Sequence, residues 1–233
     1  KERTRELSQA LQAAESASAA KTEFISNMSH ELRTPMHAIM SLADLGRENV
    51  SEYSQEKIKT YFQLIYQSGT RLMGFLNNLL DISRFQGGRM SLELGQVDLA
   101  ELVKSVASEF TDLLRDVDIS VKYQFMVDHP LVECDLNKIQ QILRNLIGNA
   151  IKYSDPGKTI RITILPGTLV RKFSARTTDV SEVSALSIMV ADEGIGIPAQ
   201  ELHEVFEKFY QSSRTRTGAG GTGLGLAICK EIA

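Results

Sequence analysis

The chain has 233 residues, enough for one large domain or two small ones. Hydrophobic residues make up 42% and charged residues 24%, the balance of an ordinary globular protein, and the net charge of −3 carries no nucleic-acid footprint. No apolar run approaches a bilayer span, and the two cysteines, Cys134 and Cys229, have no metal-ligand spacing and suit a reducing compartment.

From Lys1 to about Glu48 there is no glycine before Gly46 and no proline except Pro35, so the segment reads as one long helix. Leu7, Leu11, Ala14, Ser18, Lys21, Ile25 and Met28 recur in alternating fours and threes, a coiled-coil seam that weakens at Ser18 and Lys21. A weak seam suits a signal-transmitting helix, because two packings of similar energy are switched cheaply.

Ser29-His30-Glu31-Leu32-Arg33-Thr34-Pro35 stands in this helix. His30 and Thr34 are four apart and share a face. Glu31 lies about 100° round, and the expectation is a hydrogen bond to one imidazole nitrogen that leaves the other unprotonated and nucleophilic. Pro35 removes a backbone bond and is expected to bend the helix just past the histidine. A lone helical histidine is usually a surface or satisfied core residue. A nucleophile also needs an electrophile, which the later sequence must supply.

Gly46 to Ser54 carries turn residues, with Ser51 or Ser54 as a cap for a second long helix that ends near Phe85. Ile58, Phe62, Ile65, Gly69, Leu72, Leu76 and Leu79 form its stripe, widened by Tyr61, Phe75, Leu80 and Ile82. Two long helices with a short connection make an antiparallel hairpin. Its apolar face is too wide for one partner helix, so pairing with a second copy is expected, giving a dimeric four-helix bundle with His30 projecting outward.

Gln86-Gly87-Gly88-Arg89 breaks the pattern. The expected division is 1–20 signalling helix, 21–86 helical hairpin, 87–90 hinge and 91–233 a second domain. In that domain 91–94 and 119–126 read as strands, 99–114 as a helix and 135–153 as a strong helix. Strands follow at 158–165 and 185–191, with 166–184 a polar connection between them. Strands and helices mix without regular alternation, so the fold class is α+β, the second domain being an α/β sandwich with helices on one sheet face.

The helix over 135–153 has a buried face, Ile139, Ile142, Leu143, Leu146, Ile147 and Ala150, and a polar one, Gln141, Asn145, Asn149 and Lys152. A polar stripe is commonly just a solvated side, but two asparagines are unusual there, being mediocre helix formers. Their oxygens suit a hard cation such as magnesium, and Lys152 suits phosphate. Asp192-Glu193-Gly194-Ile195-Gly196 follows a strand, where a carboxylate can accept from an exocyclic amine and glycines let the backbone approach a flat ring; a simple turn explains it equally well. Gly218-Ala219-Gly220-Gly221-Thr222-Gly223-Leu224-Gly225-Leu226 runs into a helix over 224–232 and offers bare N–H groups to phosphate. Neither the Walker nor the dinucleotide fingerprint fits it.

Taken together, the motifs resemble those of the sensor histidine kinases, over about residues 20 to 233. Ser-His-Glu-Leu-Arg-Thr-Pro around His30 resembles their H box and 145–153 their N box. Residues 192–196 resemble the G1 box, Phe206-Glu-Lys-Phe209-Tyr210 the F box and 221–226 the G2 box. The resemblance implies a dimerisation and phosphoacceptor domain followed by a Bergerat-type ATP-binding domain. It implies His30 as phosphoacceptor oriented by Glu31, and Thr34 placing a water for dephosphorylation of the partner. Asn149 would coordinate Mg2+, Asn145 and Lys152 would lie along the phosphates of ATP, and Tyr153 would border the site. Asp192, with Gly194 and Gly196, would hold adenine. Residues 193–222 would form a lid anchored by Phe206 and Phe209, with the amides of Gly221, Thr222, Gly223, Leu224 and Gly225 on phosphate.

Two departures stand out. Gln211 occupies a place where many members carry arginine, leaving Lys208, Arg214 or Arg216 to assist the γ-phosphate. The chain also stops soon after the G2 helix begins, so a sheet incomplete at its C-terminal end is expected. The implied reaction is phosphoryl transfer from ATP to His30 and on to a response-regulator aspartate, within a homodimer. The setting implied is the cytoplasmic portion of a membrane-anchored receptor. A dimeric nucleotide-binding scaffold without turnover, or a net phosphatase acting through Thr34, uses the same residues.

Overall fold

A computed structural model of the chain describes residues 2–48, 53–86, 92–172, 180–215 and 221–233. Ser51, the hinge residues Gly87, Gly88 and Arg89, and Arg216, Gly218, Ala219 and Gly220 lie outside them, as do the side chains of Leu7, Leu11, Ala14, Ser18 and Lys21.

Helices α1 (Glu2–Glu48) and α2 (Gln55–Gln86) pack against each other as a hairpin. Ser54 caps α2, its Oγ accepting the Lys57 N–H at 3.3 Å and satisfying a donor that the first turn leaves orphaned. Helix α1 runs across Pro35 unbroken. Ile58, Ile65, Gly69, Leu72, Leu76 and Leu79 turn to half-buried positions, as their spacing requires. Phe62 and Ile25, expected in the seams, are 67% and 53% exposed. Their neighbours displace them because those have partners: Tyr61 stacks edge-on against Tyr53, and Phe24 does the same against Phe209 at 5.1 Å between centroids.

Beyond the hairpin, β1 (Leu94–Asp98) pairs antiparallel with β3 (Leu131–Asp135), which the sequence reading missed. A three-stranded sheet sets β2 (Ser120–Phe125) parallel to β4 (Thr159–Lys172), and β4 antiparallel to β5 (Val180–Ala191). The expected helix over 99–114 divides into α3 (Leu99–Ser108) and α4 (Thr111–Asp116). Ser108 and Thr111 donate their hydroxyls to the carbonyls of Ser105 and Ser108, competing with the helical ladder at the break.

The polar connection expected at 166–184 is largely strand, since β4 and β5 stay paired out to Lys172 and Val180. Pro166 does not prevent this. Ile164 accepts the Met126 N–H, so its polar groups face β2, and two residues later those of Pro166 face the same side after β2 has ended.

Helices α3 and α5 (Leu136–Tyr153) cover one face of the sheet, burying Val103, Val106, Leu143, Ile147, Ile160, Ile162 and Ile164. Each such side chain contributes roughly 1.5–3 kcal/mol. Asp135 joins the layers: one carboxylate oxygen accepts the Lys138 N–H at 3.1 Å, capping α5, and the other accepts the Glu93 N–H at 2.9 Å.

The final helix, α6 (Gly225–Ile232), rests on the hairpin. Phe75 and Ile82 of α2 are buried against Leu224 and Ile228, ringed by Met28, Leu32, Phe209 and Ile232. Beside this contact Gln141 Nε2 donates to Asp81 Oδ2 at 2.7 Å, and Lys138 Nζ stands 3.6 Å from Asp81 Oδ1.

The Glu93 N–H, above other causes, holds the Asp135 carboxyl below its ordinary 3.8. Its stabilising effect is complete above that value and is lost as pH falls through the lower folded-state value. Asp135→Ala is expected to cost about 1–2 kcal/mol in urea unfolding at neutral pH. Asp135→Asn, which keeps a capping oxygen but cannot titrate, should show a shallower loss of stability than wild type below about pH 4.

Candidate functional site

The polar face of α5 forms one wall of a cleft of about 270 Å³, and the glycine strand entering α6 forms the other. The wall exists because Leu143, Ile147, Ala150 and Ile151 are committed to the core, which turns Asn145, Asn149 and Lys152 away from it. Tyr153, Gly221, Thr222, Gly223 and Gly225 line the same space. Asn145 Nδ2 donates to the Gly225 carbonyl at 3.3 Å and ties the two walls together. The Asn149 carboxamide has no hydrogen bond to any described residue. A Cβ on Gly221 would stand 2.8 Å from Lys152 Nζ, so a bare backbone lets the strand pass beside that ammonium.

Glycine is required at two further places. Gly223 has φ +64, and a Cβ there would meet the Phe209 carbonyl carbon at 2.6 Å. Phe209, itself at φ 64, donates its N–H to the Gly223 carbonyl at 3.0 Å. A Cβ on Gly194 would lie 2.3 Å from the Tyr153 carbonyl oxygen, which accepts the Ile195 N–H at 3.2 Å. The turn after β5 is thereby clipped to the end of α5. Asp192 Oδ1 accepts the Gly194 N–H at 2.9 Å within that turn.

Asp192, Gly194 and Gly196 thus stand beside the cleft at its Tyr153 end, and Ile197 just beyond them lines it. Phe206 lies outside the lining, where Val205 takes the inward place. The Phe209 ring packs on Phe24, and the Leu224 side chain is buried against α2. Both point away from the cleft because apolar partners on the hairpin claim them. Only the backbone of Leu224 serves the glycine strand, donating its N–H to Thr222 Oγ1 at 3.3 Å.

His30 does not line the cleft. Its side chain is 76% exposed, and Nδ1 stands 4.0 Å from Glu31 Oε1, an ion-pair separation too long for the expected hydrogen bond. Adjacent helical residues diverge by about 100°, which keeps the two groups apart. Thr34 Oγ1 donates to the His30 carbonyl at 3.2 Å. Met28 and Leu32 face the docked helix, and His30, about 200° from each, faces the other way.

The segment after Gly196 is fastened at several points. The Ser213 N–H and hydroxyl both donate to the Glu201 carboxylate, and the Arg214 guanidinium donates to the Ile195 carbonyl. The Gln211 side-chain amide donates to the Gly221 carbonyl. Lys208 pairs with Glu231 at 3.6 Å, so of the three cations considered for the γ-phosphate, Lys208 is turned to α6 and Arg214 to the turn after β5. Sequence reasoning missed Asn78 altogether; Ile197, Val205, Tyr210, Ser212 and Thr215 fell within the expected lid and Leu226 within the glycine run, none of them singled out as lining the cleft. Asn78 carried a signal, being an amide inside the apolar stripe of α2.

Comparison with known proteins gives two family matches. The His Kinase A (phospho-acceptor) domain matches residues 20–88, and the histidine kinase-, DNA gyrase B- and HSP90-like ATPase matches residues 134–233. The chain is 31% identical over 234 aligned positions to the circadian input-output histidine kinase CikA of Synechococcus elongatus, covering 99% of this chain and 29% of that protein. Full-length ShkA, solved in complex with AMPPNP, aligns at TM-score 0.60 and 23% identity over 90% of this chain and 40% of its own. The histidine kinase ThkA, solved with the response regulator protein TrrA, aligns at TM-score 0.58 and 22% identity over 91% of this chain and 54% of its own. At those identities the structural likeness shows the fold alone.

Gly194→Ala and Gly223→Ala should each lower stability by about 1–3 kcal/mol, a fall of several degrees in thermal melting. Gly95→Ala, with nothing within 4 Å of the added carbon, should melt within about a degree of wild type.

Proposed function

The chain belongs to the sensor histidine kinases, and on that footing we propose that it transfers the γ-phosphoryl group of ATP to His30 and passes it to a response-regulator aspartate. The observation that carries this reading is the unpartnered Asn149 carboxamide beside Lys152 and a bare glycine strand, on a chain whose histidine stands open to solvent.

ATP-binding belongs to the matched ATPase family, and the assignment of residues is our own. Asp192 accepts the adenine amine through Oδ2, its Oδ1 being occupied by Gly194. Tyr153 borders the base, Lys152 and Asn145 lie along the phosphates, and the amides of Gly221, Thr222, Gly223 and Gly225 receive them at the start of α6, the Leu224 N–H being held by Thr222 Oγ1. Among the described residues no group of three or more His, Cys, Asp or Glu is placed to hold a metal ion. A single free amide oxygen suits Mg2+, which takes few protein ligands and completes its shell with phosphate and water. Asn149 would hold it, and the bound ion neutralises phosphate charge during transfer.

In the transfer itself an imidazole nitrogen of His30 attacks the γ-phosphorus and ADP leaves. Nε2 is the nucleophile, since Nδ1 is the nitrogen turned toward Glu31. The work is positioning and charge neutralisation, with little covalent help from the protein. His30 and the cleft lie on opposite sides of α1 in the docked arrangement, so the contact with α6 must open or a second chain must supply one partner.

We extend the proposal to the division 1–20, 21–86, 87–90 and 91–233, with the third segment as the hinge. The exposed Met36, Met40, Phe62, Tyr66, Met73 and Leu80 support a homodimer through the hairpin. The open His30 and Thr34 face accepts a receiver domain, with Thr34 placing the water for its dephosphorylation, and ThkA with TrrA is the related pairing. We place the chain at the cytoplasmic side of a membrane-anchored receptor; among the described residues no helix is long and apolar enough to cross a membrane. The chain spans 29% of the length of CikA.

Incubation with γ-labelled ATP should give an acid-labile, base-stable label on wild type and none on His30→Gln; equal label on both would overturn the assignment. Mixed dimers of His30→Gln with Asn149→Ala chains report the direction. Label on the Asn149→Ala chain means transfer across the dimer, and loss of label means transfer within one chain.

A further inference from the structure

Helix α2 meets the nucleotide-binding half of the chain through Phe75 and Ile82, which are buried against Leu224 and Ile228. Asn78 lies between them at helical spacings of three and four, and so on the same face. A carboxamide in the middle of an apolar docking stripe is costly unless something satisfies it. Asn78 makes no hydrogen bond to a described residue, and it lines the same cleft as Asn145, Asn149 and Lys152. The residues next to its apolar neighbour Leu224 are Gly223 and Gly225, both of which line that cleft, so the amide enters near the glycine strand.

We propose that Asn78 of the hairpin is a nucleotide-contacting residue, reaching the phosphate groups of bound ATP only while the two halves of the chain are docked. This rests on the ATP-binding reading given above. Its consequence is linkage: if docking adds a contact to the nucleotide, then nucleotide favours docking by the same factor. The polar pairing of Asp81 with Gln141 and Lys138 lies on the neighbouring turn and supports the same docked geometry. Occupied by ATP, the cleft would be held on the side of α1 opposite His30 until the dock opens.

Calorimetric titration of the whole chain with Mg-ATP and, separately, with adenosine tests the idea. Asn78→Ala should weaken Mg-ATP binding by roughly three- to thirtyfold, the range for one lost hydrogen bond, and leave adenosine binding unchanged. Asn78→Asp should weaken Mg-ATP further, because a carboxylate then faces phosphate. Asp81→Lys, which sets a second cation against Lys138, should weaken Mg-ATP binding in the wild-type background and add little on top of Asn78→Ala. Mg-ATP binding to Asn78→Ala at the wild-type affinity overturns the proposal while leaving the ATP-binding reading intact. An equal loss for ATP and adenosine overturns it as well, by showing a general distortion of the cleft. Wild-type chain that binds no Mg-ATP removes both readings.

Discussion

Leu224 and Ile228 are fully buried, yet the atoms that bury them come from two distant parts of the chain. Phe75 and Ile82 approach from the second hairpin helix, while α5 meets α6 from the other side through Asn145 and Cys229. The glycine strand that walls the cleft leads directly into this helix. The position of α6 therefore sets two things at once: how the halves of the chain are held together and where the backbone amides of the cleft point. Burial of four large apolar side chains, at roughly 1.5–3 kcal/mol each, is the main force in that contact, and the Asp81 pairing adds direction to it.

The cleft inherits its shape from neighbours that have no chemistry of their own. Phe209 is held by Phe24, and Gly223 fits against the Phe209 backbone with no room for a side chain. The hairpin is thus connected to the glycine strand through one aromatic contact, Phe24 on Phe209. The Gln211 amide adds a second link, fastening that strand to the segment after Gly196. Arginine at this place would carry charge toward the cleft; glutamine spends its donor on the backbone of Gly221. Charge in the described cleft then comes chiefly from Lys152.

His30 sits in the opposite condition. Its ring is exposed, its carboxylate neighbour is beyond hydrogen-bond reach, and the helix runs on past it through Pro35. Such a group is accessible to more than one partner in turn. The cleft is assembled between α5 and the glycine strand, and His30 is left open on the opposite side of α1.

Much of this was readable without coordinates because it rests on local rules. Helix length, the cap at Ser54 and the two faces of α5 follow from spacing and from hydrogen-bonding side chains within a few residues. The glycines at 194, 221 and 223 were marked by type, since a bare backbone is needed wherever another group passes close. Tertiary structure decided what depends on residues far apart in the chain. The pairing of β3, the reach of β4 and β5, the outward turn of Ile25 and Phe62, and the capture of Phe209 and Leu224 by the hairpin were all settled there. An apolar residue declares that it will be buried, but its partner is chosen by packing among many apolar surfaces. Asn78 shows the limit: its residue type was anomalous for its stripe, and only the docked fold put the cleft in front of it.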